Sequence, residues 1–256
     1  MTNDTAQVQA DLASAVSGLI RNGLPEDRAE LAEQFTQQYL RWVPAEDLAE
    51  REPPDLAGAV HAHLKLAQRR ASDETKLRLG TPERERDGWK SPHTVLEIVT
   101  DDMPFLIDSV VMELSRNGYG IHLVIHPVIR VTRDSSGTLI ALAPAGERLP
   151  GDRAESVIHV EFDREPEPER LAALQGDLER VLGDVRAAVE DWRPMRALAL
   201  KLADELDSGP ISEHELHEAR AFLRWLTEER FVFLGYRSYR LVQEGDGARL
   251  DAIPET

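Results

Sequence analysis

Cysteine is absent from the 256-residue chain, which removes disulfides, thiolate zinc sites, iron–sulfur clusters and thiol nucleophiles together. Basic charge is scarce, with 30 Lys and Arg against 47 Asp and Glu and a formal net charge of −17. A field of that sign repels phosphate backbones and anionic lipid, so neither nucleic acid nor a membrane is an expected partner. Long apolar runs are missing as well. The first twenty residues, with Asp4 and Asp11, have neither the basic start nor the apolar stretch of a secretion signal, and no later run reaches membrane-spanning length. The cytoplasm is the expected location. No phosphate-cradling loop is present: Gly118-Tyr119-Gly120 lacks a third glycine and precedes a strand pattern, whereas such a loop must open a helix. Walker-type loops and nucleophile elbows are lacking too. What remains is 41% hydrophobic and 30% charged, the composition of a globular protein with one or two modest cores.

The apolar residues Val8, Leu12, Val16, Leu19 and Ile20 recur at helical spacing, and Gly23 marks a stop. Leu31, Phe35 and Tyr39 repeat the pattern up to Pro44, and Leu56, Val60, Leu64 and Ala67 follow Pro53-Pro54. These predict a three-helix unit over residues 1–75. Residues 76–93 are polar, with Gly80, Pro82, Gly88 and Pro92 interrupting any period, and are expected to form a linker.

Thr94 to Thr100 is β-branched and apolar, and Asp101-Asp102-Met103-Pro104 leads into a helix lined by Leu106, Ile107, Val110, Val111 and Leu114, stopped by Asn117-Gly118. Ile121 to Thr132 is strand-like, with Pro127 consigning its middle to an edge or bulge. A turn at 134–137 opens a short strand at 138–143. Ser156, Ile158, Val160 and Phe162 then alternate with Val157, His159 and Glu161, the period of a half-buried strand. Leu171 to Trp192 predicts a long helix that Pro194 ends or bends. Residues 94–192 therefore read as an α+β domain, an antiparallel sheet with helices on one face. Connecting helices are expected over 193–229, separated at Gly209-Pro210, the second capped by Ser212 and Glu215. Phe231 to Val242, a turn at Glu244-Gly245-Asp246-Gly247 and a strand from Arg249 to Thr256 predict a hairpin beginning a further domain over 230–256. A hairpin without a sheet is marginal alone, so the chain is expected to be cut from something longer. The four aromatics of 231–239, with only Arg230, Arg237 and Arg240 as basic neighbours, are assigned to core.

No residue is assigned to catalysis, to a cofactor or to a metal. His122 and His126 share a strand face, but four residues span about 13 Å, too far for one ion. His214 and His217 lack the four-residue spacing of a metalloprotease helix and suit a solvated first turn beside Glu213, Glu215 and Glu218. Asp101, Asp102 and Asp108 stabilise a helix start through its dipole, or serve as paired carboxylates, or flank backbone N–H groups that bind a ligand carboxylate.

The run from Val99 to Val110 resembles the amino-terminal region of the large multi-domain bacterial NAD-specific glutamate dehydrogenases. So do residues 87–93 (Asp-Gly-Trp-Lys-Ser-Pro-His), 55–59, 222–226 and 231–236. The resemblance implies a parent enzyme that oxidatively deaminates L-glutamate to 2-oxoglutarate and ammonia with NAD in domains beyond this segment. It also implies an ACT-like module here, a fold that binds amino acids and adjusts a distant active site. The candidate effector-binding residues are Asp101, Asp102, Met103, Pro104, Phe105, Leu106 and Asp108. Where ligand-binding modules resemble Asp-x-Pro-Gly-Leu, Phe105 stands in the glycine's place and narrows the backbone's approach to a ligand. The module's last strand is also wanting, so the strand at 138–143 or another subunit is expected to complete the sheet. Expected partners are the parent's remaining domains, a homo-oligomer and an amino-acid effector. The alternatives are a ligand-free oligomerisation scaffold, a stand-alone amino-acid-binding protein, and a small enzyme using the three aspartates.

Overall fold

The structure, a computed structural model, describes residues 2–21, 25–49, 51–207, 212–228, 231–244 and 247–254. Gly23, the Gly209-Pro210 break, Arg230, Gly245, Asp246 and Thr256 lie outside the described residues, as does the side chain of Val8. The chain divides into two compact units, Met1–Leu182 and Gly183–Thr256.

In the first unit four helices precede the sheet: α1 (Thr2–Arg21), α2 (Glu26–Leu40), the short α3 (Ala45–Ala49) and α4 (Pro53–Ala67). Pro53 and Pro54 occupy the first turn of α4, where a missing N–H costs nothing. The sheet is antiparallel throughout: β1 (Lys76–Gly80), β2 (Thr94–Asp101), β6 (Arg153–Phe162), β4 (Val128–Arg133) and β5 (Leu139–Leu142) lie in that order. β3 (Ile121–Ile125) also pairs with β6. Pro127 splits the expected strand 121–132 into β3 and β4, which share one edge of β6. A short helix α5 (Arg84–Asp87) joins β1 to β2, and α6 (Leu106–Arg116) follows β2.

The expected linker is therefore structured, and its first five residues are the strand thought to be missing. Leu77 and Leu79 alternate with Lys76 and Arg78, a pattern too short to stand out until β2 offers its edge. The 138–143 segment instead extends the opposite side of the sheet beside β4.

The helices of residues 1–75 are not a separate body. Val16, Phe35, Tyr39, Leu56, Val60 and Leu64 form one buried cluster with Leu123, Ile125, Ile129, Val131, Leu142 and Val157 of the sheet. The opposite face, with Leu96, Ile98, Ile158, Val160 and Phe162, is equally buried. Leu106, Val110 and Leu114 of α6, which packs beside β3, and Leu174 and Leu178 in the first half of α7 (Pro168–Glu205) are buried too, outside the cluster of the first face. So β6 is not half-buried: every residue from Glu155 to Phe162 is inaccessible. Its alternating polar residues face a helical layer rather than water.

In the second unit, α7 runs on through Pro194, which was expected to end or bend it. Met195, Ala199 and Ala203 are buried on that stretch, and their packing outweighs the one lost hydrogen bond. α8 (Glu213–Leu226) starts with the expected capping box: Ser212 Oγ accepts from the Glu215 N–H at 3.2 Å, and the Glu215 carboxylate accepts from the Ser212 N–H at 2.9 Å. The hairpin is shorter than predicted, with β7 (Tyr239–Glu244) paired to β8 (Gly247–Ala252) and no strand over 231–238. Phe231, Tyr236 and Tyr239 are exposed rather than core.

Gly58 on α4 has no room for a side chain, since a Cβ there would stand 2.3 Å from Trp89 Cβ. Gly58→Ala is expected to cost about 1–3 kcal/mol through overpacking. Gly18→Ala on α1, which meets nothing within 4 Å, is expected to stabilise by about 0.5–1 kcal/mol. Urea unfolding of both variants checks the pair.

Candidate functional site

The face of the sheet beneath α1–α4 carries a row of polar side chains. Strand alternation puts Glu97 and Asp101 of β2 and Glu155, His159 and Glu161 of β6 on that face, and the register sets Glu97 opposite His159 and Asp101 opposite Glu155. Glu97, Glu155, His159 and Glu161 are all at most 2% exposed. Their partners come from the helical layer, from strands β1 and β4, and from the connections around β1. Arg51 grips Glu161 with both guanidinium ends, one N–H donating to Oε2 at 2.9 Å and the other to Oε1. Ser91 Oγ donates to the same carboxylate at 3.0 Å, and His159 Nε2–H donates to its Oε1 at 3.2 Å. Arg78 of β1 holds Glu97 through Oε2. At the far end of the row Arg70, wholly buried, donates to Asp101 Oδ1 at 2.6 Å and Glu155 Oε1 at 2.8 Å, while Arg133 donates to both oxygens of Glu155 at 2.7 Å.

His63 descends from α4 into this row. Its Nε2–H donates to the Ile98 carbonyl at 3.2 Å, so Nδ1 carries the lone pair, and the Tyr39 hydroxyl donates to it at 3.1 Å. His63 Nδ1 lies 4.0 Å from Glu97 Oε1. One ligand atom each from His63, Glu97 and His159 fall within 4.8 Å of one another. Two atoms of the group, Glu97 Oε1 and His159 Nδ1, are buried without a hydrogen-bond partner among the described residues. Leaving such an atom unpaired costs about 1–3 kcal/mol.

Burial sets the charge states. It pushes the Glu97 carboxyl above its ordinary range and the His63 imidazole well below its own, the nearby His159 adding to the latter. Burial also raises the Tyr39 phenol well above 10, keeping it neutral. Glu161 goes the other way: burial favours its proton, but the hydrogen bonds from His159 and Arg51 and the Arg51 charge bring its pKa down to about 2.

A cavity of about 1000 Å³ opens onto the cluster and is lined by Tyr39, Arg51, His93, His122, His159 and Glu161 among others. Residues 55–59 and 87–93 meet at its wall. Trp89 is buried against Gly58, Asp55 accepts from Arg84 and from the Lys90 N–H, and Ser91 reaches Glu161.

A family profile described as "Glutamate dehydrogenase, ACT1 domain" matches residues 35–178, the span that holds all of α4, the sheet and the cluster. The chain belongs to this family. It is 34% identical over 248 residues to the NAD-specific glutamate dehydrogenase of Pseudomonas aeruginosa, and 34% identical over 250 residues to that of Halomonas elongata, with 96% of the chain covered in each. The Mycobacterium tuberculosis protein of the same description is 26% identical over 240 residues. The chain spans only 15% of the length of the Pseudomonas relative and 16% of that of the Halomonas one. No helix among the described residues is long and apolar enough to cross a membrane.

In this ACT1 chain the 101–108 residues are divided between tied, exposed and buried positions. Asp101 is tied to Arg70, and Asp102 accepts from Ser156 Oγ at 2.8 Å. Asp108, Pro104 and Phe105 are exposed, Met103 is half-buried and Leu106 is core. Phe105 keeps the left-handed backbone that glycine would supply, with φ 71°, and caps α6 with its ring 44% exposed. His126 Nε2 lies 3.1 Å from Ser156 Oγ. Because the serine's proton goes to Asp102, His126 supplies its own proton to the hydroxyl, the reverse of a base activating a nucleophile. His122 instead pairs with Asp163 at 2.8 Å and stacks on His93 at 3.9 Å. Spacing arguments missed His63, Glu97 and His159 because they lie on three elements 34 and 62 residues apart. The available signal was polarity out of place: His63 sits on the apolar stripe of Leu56, Val60 and Ala67, and Glu97 interrupts an apolar strand.

These charge states set the pH response. Glu161, folded at about 2 against 4.5 unfolded, contributes stability present above pH 4.5 and lost as pH falls toward 2, on the order of 3 kcal/mol. His63 remains neutral when folded, so the unfolded chain gains a proton first and stability already declines below pH 6.5. Chemical denaturation from pH 8 to 3 is expected to show both limbs, His63→Gln flattening the upper one. Arg51→Met, which leaves Glu161 buried and uncompensated, is expected to cost about 3–5 kcal/mol at pH 7.

Proposed function

We propose that this chain is a non-catalytic regulatory and assembly segment of a larger NAD-specific glutamate dehydrogenase. In this reading the oxidative deamination of L-glutamate to 2-oxoglutarate and ammonia, and the NAD that accepts the hydride, belong to other parts of that enzyme. The observation that carries the assembly role is the apolar surface of the second unit. Phe222, Trp225, Phe231, Leu234, Tyr236, Leu241 and Leu250 are 43–77% exposed along little more than α8 and the hairpin. Exposed apolar residues at that density mark protein contact rather than a solvated surface. The relatives' remaining length supplies the occupant, the other domains of the same protein. The non-catalytic reading is supported by the wrong-way proton of the Asp102–Ser156–His126 chain and by the pinning of Asp101.

The regulatory role places an amino-acid effector at the β2–α6 loop, residues 101–108. Arg70 and Ser156 hold Asp101 and Asp102 in shape there, and Phe105 stands at the turn into α6.

Mixing the chain with the separately produced remainder of its parent is expected to give a complex by light scattering. Leu234→Ser combined with Leu241→Ser weakens it; an unchanged complex refutes the surface. Calorimetric titration with glutamate, aspartate and asparagine is expected to show saturable heat from one of them. Phe105→Gly, which restores the open loop, should tighten it. At 100 times its dissociation constant that ligand adds about 2.7 kcal/mol of stability. Silence in both proteins leaves an assembly scaffold.

A further inference from the structure

We propose that His63, Glu97 and His159 bind one divalent transition-metal ion of the zinc class, which clamps α4 to the two central strands of the sheet. The three residues come from α4, β2 and β6, and each presents one atom to a common point, with those atoms within 4.8 Å of one another. Two imidazoles and a carboxylate are a donor set that suits zinc and its neighbours rather than calcium or magnesium, which prefer oxygen alone. A tetrahedral ion with bonds of about 2.1 Å needs donors about 3.4 Å apart. From a triangle of sides up to 4.8 Å, each donor closes in by under about 1 Å, within the reach of small side-chain rotations.

The surroundings prepare each donor for this role. A metal-binding histidine donates its other ring N–H to a carbonyl or carboxylate, which fixes the ring and leaves the ligating nitrogen bare. His63 does so to the Ile98 carbonyl and His159 to Glu161, which Arg51 and Ser91 hold in place. Arg78 takes one oxygen of Glu97 and leaves the other. Among the described residues the atoms left over are Glu97 Oε1 and His159 Nδ1, both buried without a hydrogen-bond partner, and His63 Nδ1, which meets the Tyr39 hydroxyl. A purely hydrogen-bonded core would pair these atoms with one another, and at 4.0 Å His63 Nδ1 and Glu97 Oε1 are beyond hydrogen-bond distance. The ion replaces the Tyr39 bond to His63, and the Tyr39 oxygen or a water serves as fourth ligand. The cavity lined by Tyr39, His159 and Glu161 gives the entry path. This inference does not depend on the regulatory reading above.

The test uses the full chain after chelator treatment, titrated with Co²⁺ and then Zn²⁺. One Co²⁺ per chain is expected, with the visible absorption of a four-coordinate site, bleached when Zn²⁺ displaces it. His159→Gln and Glu97→Gln are expected to abolish saturable binding while far-UV circular dichroism is retained, and Glu161→Gln to weaken it about 10–100-fold. Should those variants fail to fold, the wild-type chain decides alone: long-range ¹H–¹⁵N spectra are expected to show the Nδ1 resonances of two imidazoles shifting on Zn²⁺ addition, with their Nε2 atoms remaining protonated. Absence of saturable binding overturns the proposal. So does binding that leaves those resonances unmoved or survives in the His159 and Glu97 variants.

Discussion

The bidentate pairing of Arg51 with Glu161 is the contact on which the arrangement of the first unit depends. Glu161 is fully buried on β6, and an ionised carboxylate there is tolerable only if its desolvation is offset by close, oriented donors. Arg51 lies between α3 and α4, so the helical layer is held over the sheet by a charge the sheet cannot bury alone. The same carboxylate orients His159 and anchors Ser91, tying β6 to the approach to β2. Apolar packing of Tyr39, Leu56 and Val60 with Ile125 and Val157 buries the core side of these polar contacts, which makes any unmatched polar atom there expensive.

That layer also explains how a module read as a sheet with one helical face comes to be covered on both. The polar residues of β6 would suit water if the face were open, and β6 read alone predicts that. Among them Glu155 meets Arg70 and Arg133, and Glu161 meets Arg51, so each has a counter-charge waiting. The alternation of β6 is legible in the sequence; what its polar side faces is not, because the answer lies 110 residues upstream in Arg51 and 85 upstream in Arg70.

Other elements divide along the same line between local and distant causes. The helix over 106–116 with its Asn117-Gly118 stop, the Pro127 break and the Ser212 cap are written in neighbouring residues, and the structure has them in place. β1 was hidden because five residues with two leucines carry no signal without β2 beside them. Pro194 locally signals an end or a bend, whereas α7 continues through it, because the burial of Met195, Ala199 and Ala203 on the far side is a tertiary fact. The candidate site followed suit: the 101–108 loop was visible as a motif, whereas the His63–Glu97–His159 group needed the sheet register to bring it together.

If the buried polar row welds α1–α4 to the sheet, the two must open together. Native-state hydrogen exchange at pH 7 measures this directly, by comparing amides of α2 and α4 with those of β6 between Ser156 and Phe162. The account predicts one shared opening free energy for the slowest amides of all three, lowered equally for each by Arg51→Met. Helical amides that exchange through an independent, much cheaper opening while β6 stays protected would contradict it.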